Sequence, residues 1–96
     1  MATYVVLFNW TEQGVKMFKE SPARVDRARE AWSDLDVQVR DIYWTLGPHD
    51  LVAVFEAPND EALTAAMLRL SAQGNVRTTT LRAFSRSEAE AIIARA

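Results

Sequence analysis

The 96 residues have room for one domain, residues 1–96, with a core that is marginal without an oligomeric partner. Apolar residues make up 49% and the net charge is −2 with the signs interspersed, so no basic run recommends nucleic acid or an anionic membrane as a partner. Cysteine is absent and histidine occurs once, which excludes disulfides, thiolate chemistry and a multi-histidine metal site within one chain; no cofactor is expected.

The N-terminal "MATYVVLFNW" lacks a charged leader, and its apolar stretch is too short for a signal peptide or a membrane span. The expected setting is the cytoplasm. Thr3–Trp10 reads as a strand that is apolar on both faces, Val5 and Leu7 on one and Tyr4, Val6 and Phe8 on the other. Such a strand is expected in the middle of a sheet. "TEQGVKMFKES" reads as a short helical turn, since Gly14 weakens a longer helix.

"SPARVDRAREAWSDL" is a helix, with Ser21 as its N-cap and Pro22 as its first residue. Val25, Ala28, Trp32 and Leu35 share one face. Val37–Leu46 is a strand of mixed polarity, followed by the turn "GPH". Asp50–Ala57 is again apolar on both faces.

Asn59 caps the helix "DEALTAAMLRLSAQ", whose stripe is Leu63, Ala66, Met67 and Leu70 and whose stop is Gly74. Asn75–Phe84 is β-branched and polar, as an edge strand is. "SRSEAEAIIARA" opens with a capping box, Ser85 to Glu88.

The order βαββαβ plus a final helix predicts an α+β fold, a ferredoxin-like four-stranded antiparallel sheet ordered 4-1-3-2. The two most apolar strands, 1 and 3, then fall in the centre. Two helices cover one face. The other face needs a cover as well, from a second copy or from the last helix.

This topology brings one strand end after another to the turn at Thr45–Asp50. Asn9 and Trp10 arrive from strand 1, Trp44 from strand 2, and Arg77 lies at the start of strand 4. With His49 and Asp50 of the turn itself, these form the candidate ligand site, since polar groups beside apolar walls suit a small ligand. Each also has a plainer role. Gly47 and Pro48 shape the turn, Asp50 caps amides, and the two indoles anchor core or interface.

"TYVVLFNWTEQG", "GPHDLVAVFEAPNDEA" and "GNVRTTTLRAF" together resemble the GYD domain family, small bacterial and archaeal proteins of the dimeric α+β barrel type. Gly47 and Asp50 match the family's glycine-tyrosine-aspartate signature. His49 stands where a tyrosine is expected, and Thr79 where relatives often carry an acidic residue. The resemblance implies the fold and a homodimer, and no established reaction.

Three readings follow. The first is an oligomeric module that binds a small aromatic or anionic molecule at Asn9, Trp10, Trp44, His49, Asp50 and Arg77. The second is a structural or assembly protein. The third is a cofactor-free oxygenase, isomerase or decarboxylase, with His49 as acid-base, Asp50 orienting it, and Arg77 or Asn9 stabilising an anion.

Overall fold

The structure, a computed structural model, describes residues 1–96. Four strands form the sheet: β1 (Ala2–Trp10), β2 (Gln38–Trp44), β3 (Leu51–Ala57) and β4 (Val76–Ala83). Their order is β2-β3-β1-β4, all neighbours antiparallel, which is the order expected from the sequence. The helices are α1 (Glu12–Lys16), α2 (Ser21–Ala31), α3 (Asp60–Ser71) and α4 (Arg86–Arg95). Short 3₁₀ turns at Phe18–Glu20 and Ser33–Leu35 flank α2.

Strand alternation decides what is buried. Tyr4, Val6 and Phe8 of β1 pair with Phe55, Ala53 and Leu51 of β3, and all six face the helices and are buried. Ala28 of α2, Trp32 just past its end, and Leu63, Ala66 and Met67 of α3 close this core from above. Trp32 meets Phe55 edge-on, with ring centroids 5.5 Å apart, and its Nε1 donates to the Ala66 carbonyl at 3.1 Å. The indole thereby ties both helices to the sheet. Truncating Phe55, which is 1% exposed, costs about 3–5 kcal/mol.

The opposite face of the sheet is uncovered. Val5 and Leu7 pair with Val54 and Val52 there, all partly exposed, and Leu81 and Tyr43 flank them. α4 does not lie across this face. It buries none of its residues and makes no extensive contact with any strand. The radius of gyration is accordingly 14.3 Å, against about 12.5 Å for a compact chain of this length.

Two local expectations change. Ser21 is not the N-cap of α2. It lies inside the helix with αR dihedrals and is buried, while Glu20 holds the cap position without a side-chain bond. The preceding 3₁₀ turn runs straight into α2, so the start has no need of a hydroxyl cap. The second change is at β2, which runs from Gln38 to Trp44 rather than from Val37 to Leu46; a bulge between Val39 and Asp41 blunts this edge, and Arg40 reaches Glu56 at 2.7 Å. The capping box at Ser85 and Glu88 and the Asn59 cap form as read from the sequence.

Candidate functional site

The turn between β2 and β3 is closed by Thr45. Its Oγ1 donates to the His49 carbonyl at 2.6 Å and its amide to the Asp50 carbonyl at 2.8 Å. Gly47 sits at φ +126°, which a residue with a β-carbon rarely adopts. Asp50 does local backbone work: its Oδ2 accepts from the Trp10 amide at 2.8 Å, just where β1 ends.

Asn9 bridges the turn to β1. Its Nδ2 donates to the Pro48 carbonyl at 2.7 Å, and its Oδ1 meets His49 Nδ1 at 2.8 Å. A carbonyl partner can only accept, so the amide orientation is fixed. Asn9 Oδ1 is therefore an acceptor, and His49 Nδ1 must carry the proton. In the neutral ring this leaves Nε2 as a free acceptor. Arg77 stands opposite Asn9 in the β1–β4 register, exposed and in no ion pair.

Strand alternation divides the six residues singled out in the sequence. Asn9, His49 and Arg77 gather on the uncovered face, and Asp50 at its rim. Trp10 and Trp44 point the other way, toward the helices. Trp44 pairs with buried Leu51, and its Nε1 donates to Ser21 Oγ at 3.0 Å. Trp10 packs at the border of the core, beside Val76. The indoles and the imidazole thus meet at one end of the sheet but on opposite sides.

At the far end, the Tyr4 hydroxyl donates to Asp60, and the Arg82 guanidinium lies 5.5 Å from the Tyr4 ring. Burial, and then the Asp60 hydrogen bond, push the Tyr4 phenol up to about 12. Ser21 and Arg24 escaped the sequence reading. Both border a cavity under α2. A serine and an arginine three apart at a helix start look the same as a cap and a solvated charge.

No group of three or more His, Asp or Glu side chains is gathered to hold a metal, and no helix is long and apolar enough to cross a membrane.

The GYD domain family model matches residues 4–93. A protein of Thermus thermophilus, named glutamine synthetase and cystathionine beta-lyase binding protein, is 37% identical over 85 residues. That match covers 88% of this chain and 90% of the relative. The crystal structure of TTHA0845, also from Thermus thermophilus, superposes with a TM-score of 0.55 at 33% identity, covering 88% of this chain and 95% of that one. FFRP-DM1 superposes at 0.61 with 16% identity over 88% of this chain and all of its own. MtbAldR superposes at 0.69 with 17% identity, over 88% of this chain and 52% of its own. At those identities the last two share the fold alone.

Proposed function

This chain belongs to the GYD domain family, and from that premise we propose that it is a self-associating binding module. Two copies pack their uncovered sheet faces together, and the assembled pair engages a protein partner. The observation that carries this is the apolar face of Val5, Leu7, Val52 and Val54, which neither α4 nor any other element covers. A second copy offers the same strip, so one two-fold interface removes both strips from water. The Thermus relative is named for binding two enzymes. A similar role here makes glutamine synthetase and cystathionine beta-lyase of the same organism the first partners to try.

Light scattering tests the first part. The wild-type chain runs as a dimer or higher oligomer, and Val52→Asp runs as a monomer with an unchanged circular dichroism spectrum. A wild-type chain that stays monomeric at tens of micromolar rules the reading out. Titration against the two enzymes by interferometry tests the second part.

A small anion at the Thr45–Asp50 turn is a second reading. Its support is an exposed guanidinium, Arg77, without a carboxylate, beside an imidazole whose Nε2 is free to accept. Such a ligand carries a negative group for Arg77 and an N–H or O–H donor for His49. Aromatic stacking is not part of it, because Trp10 and Trp44 lie across the sheet. Loss of a ligand-induced change in the His49 ring signals on Arg77→Ala is the expected result.

A further inference from the structure

Between α2 and the sheet lies a pocket of about 60 Å³, partly open to solvent. Phe8, Leu51, Phe55 and Trp32 form its apolar walls, and Ser21 and Arg24 stand on its border. Both polar residues have donors to spare. Ser21 is 5% exposed, and its Oγ accepts from Trp44 Nε1, yet its own hydroxyl proton has no acceptor. Arg24 is partly buried. It donates through Nη1 and Nη2 to the Gly14 and Met17 carbonyls, at 2.8–3.3 Å. No carboxylate pairs with it, and Nε is uncommitted.

The Arg24 guanidinium rests on carbonyl oxygens alone, so an incoming carboxylate meets no competing counter-ion. The three-residue spacing puts Ser21 and Arg24 on the same side of α2. Both line the same pocket, so a planar anionic group there meets a guanidinium and a hydroxyl with apolar volume behind it.

The volume sets the size of the apolar part. A cavity near 150 Å³ holds a benzene ring, and a water takes about 30 Å³ of liquid. At about 60 Å³ the space takes a branched alkyl group of three or four carbons and excludes a ring.

We propose that this cavity binds a short branched aliphatic carboxylate, its alkyl end against Phe8, Phe55 and Trp32 and its carboxylate on Arg24 and the Ser21 hydroxyl. The cavity lies on the helix side of the sheet, so the site stands independently of self-association through the opposite face and of any ligand at His49.

The test uses the full-length chain and 3-methylbutanoate as probe. Three controls accompany it: 3-methylbutan-1-ol without the charge, acetate without the alkyl group, and benzoate with a ring. The readouts are the Trp32 indole N–H signal in ¹H–¹⁵N NMR and the melting temperature. The probe shifts the Trp32 signal saturably and raises the melting temperature, with each control binding at least tenfold more weakly.

Ala28→Leu fills the cavity and loses the response while still melting cooperatively. Should that variant not fold, Arg24→Gln takes its place, and its affinity for the probe falls at least tenfold. The proposal is overturned by no saturable shift at millimolar probe, by benzoate or the alcohol binding as well as the probe, or by an unchanged response in the variant that folds.

Discussion

Gly14 stands backbone against backbone with Asn75: a β-carbon added at position 14 would lie 1.9 Å from the Asn75 carbonyl oxygen and 2.8 Å from its carbon. This contact docks α1 on the loop between α3 and β4. Hydrogen bonds surround it. The Thr11 amide donates to the Asn75 carbonyl at 3.1 Å, Thr11 Oγ1 to the Gly74 carbonyl at 2.6 Å, and Gln13 Nε2 to Asn75 Oδ1 at 2.9 Å. No flexible side chain is present to yield, so the backbone itself must separate. Gly14→Ala is expected to destabilise the chain by about 2–4 kcal/mol, despite alanine's better helix propensity. In urea the midpoint falls and the slope stays constant. Gln13→Ala, which removes only two exposed bonds, to the Gln73 carbonyl and to Asn75 Oδ1, stays close to wild type.

The Asn9–His49 bond predicts a tautomer. Neutral His49 carries its proton on Nδ1, because Asn9 Oδ1 can only accept. The ¹⁵N shifts of the ring report this directly. They are expected to show a protonated Nδ1 and a bare Nε2, with the preference lost in Asn9→Ala. A dominant Nε2–H form in the wild-type chain contradicts the bond.

Tyr4 makes stability fall at high pH. Its phenol is pushed up to about 12 by burial and by the hydrogen bond to Asp60, whereas an unfolded tyrosine loses its proton near 10. Between these values the unfolded state binds fewer protons than the native state, so the free energy of unfolding decreases as pH rises. The contribution is fully present below about pH 10 and is lost on the way to about 12. Denaturation midpoints measured across that interval are expected to drop in the wild-type chain. In Tyr4→Phe that drop shrinks, and so does the high-pH part of the tyrosinate absorbance titration.

The sheet was legible because its logic is short-range. Val5 and Leu7 on one side of β1 and Tyr4, Val6 and Phe8 on the other mark a strand apolar on both faces, and β1 is indeed central, paired with β3 and β4. The caps at Asn59 and Ser85 are likewise written within four residues.

What escaped depends on partners distant in the chain. Gly14 reads as a poor helix former until Asn75 is placed against it, 61 residues away. Ser21 carries the signature of a cap, but Trp44 occupies its oxygen from β2. The site suffered from the same limit. Topology brings Asn9, Trp10, Trp44 and Arg77 to one end of the sheet, yet which side each takes follows from register. Adjacent residues such as Asn9 and Trp10 necessarily part company.

The last prediction concerns α4. Its apolar residues Ile92 and Ile93 are 46% and 71% exposed, and no residue of the helix is buried. A helix that buries nothing contributes little to the stability of its own chain, so surface changes on it fall within about 0.5 kcal/mol. It is nevertheless well capped, by Ser85 and Glu88 together. In the proposed dimer this helix has its work on the partner, and its isoleucines become buried there. The double substitution Ile92→Glu, Ile93→Glu keeps the helix and removes both exposed isoleucines. It is expected to leave the unfolding midpoint of the dilute, monomeric chain unchanged while weakening self-association at least tenfold by light scattering. Because association stabilises the folded state by mass action, the wild-type midpoint rises with protein concentration and that of the variant rises far less. A variant that loses stability equally at every concentration shows instead that α4 serves its own chain.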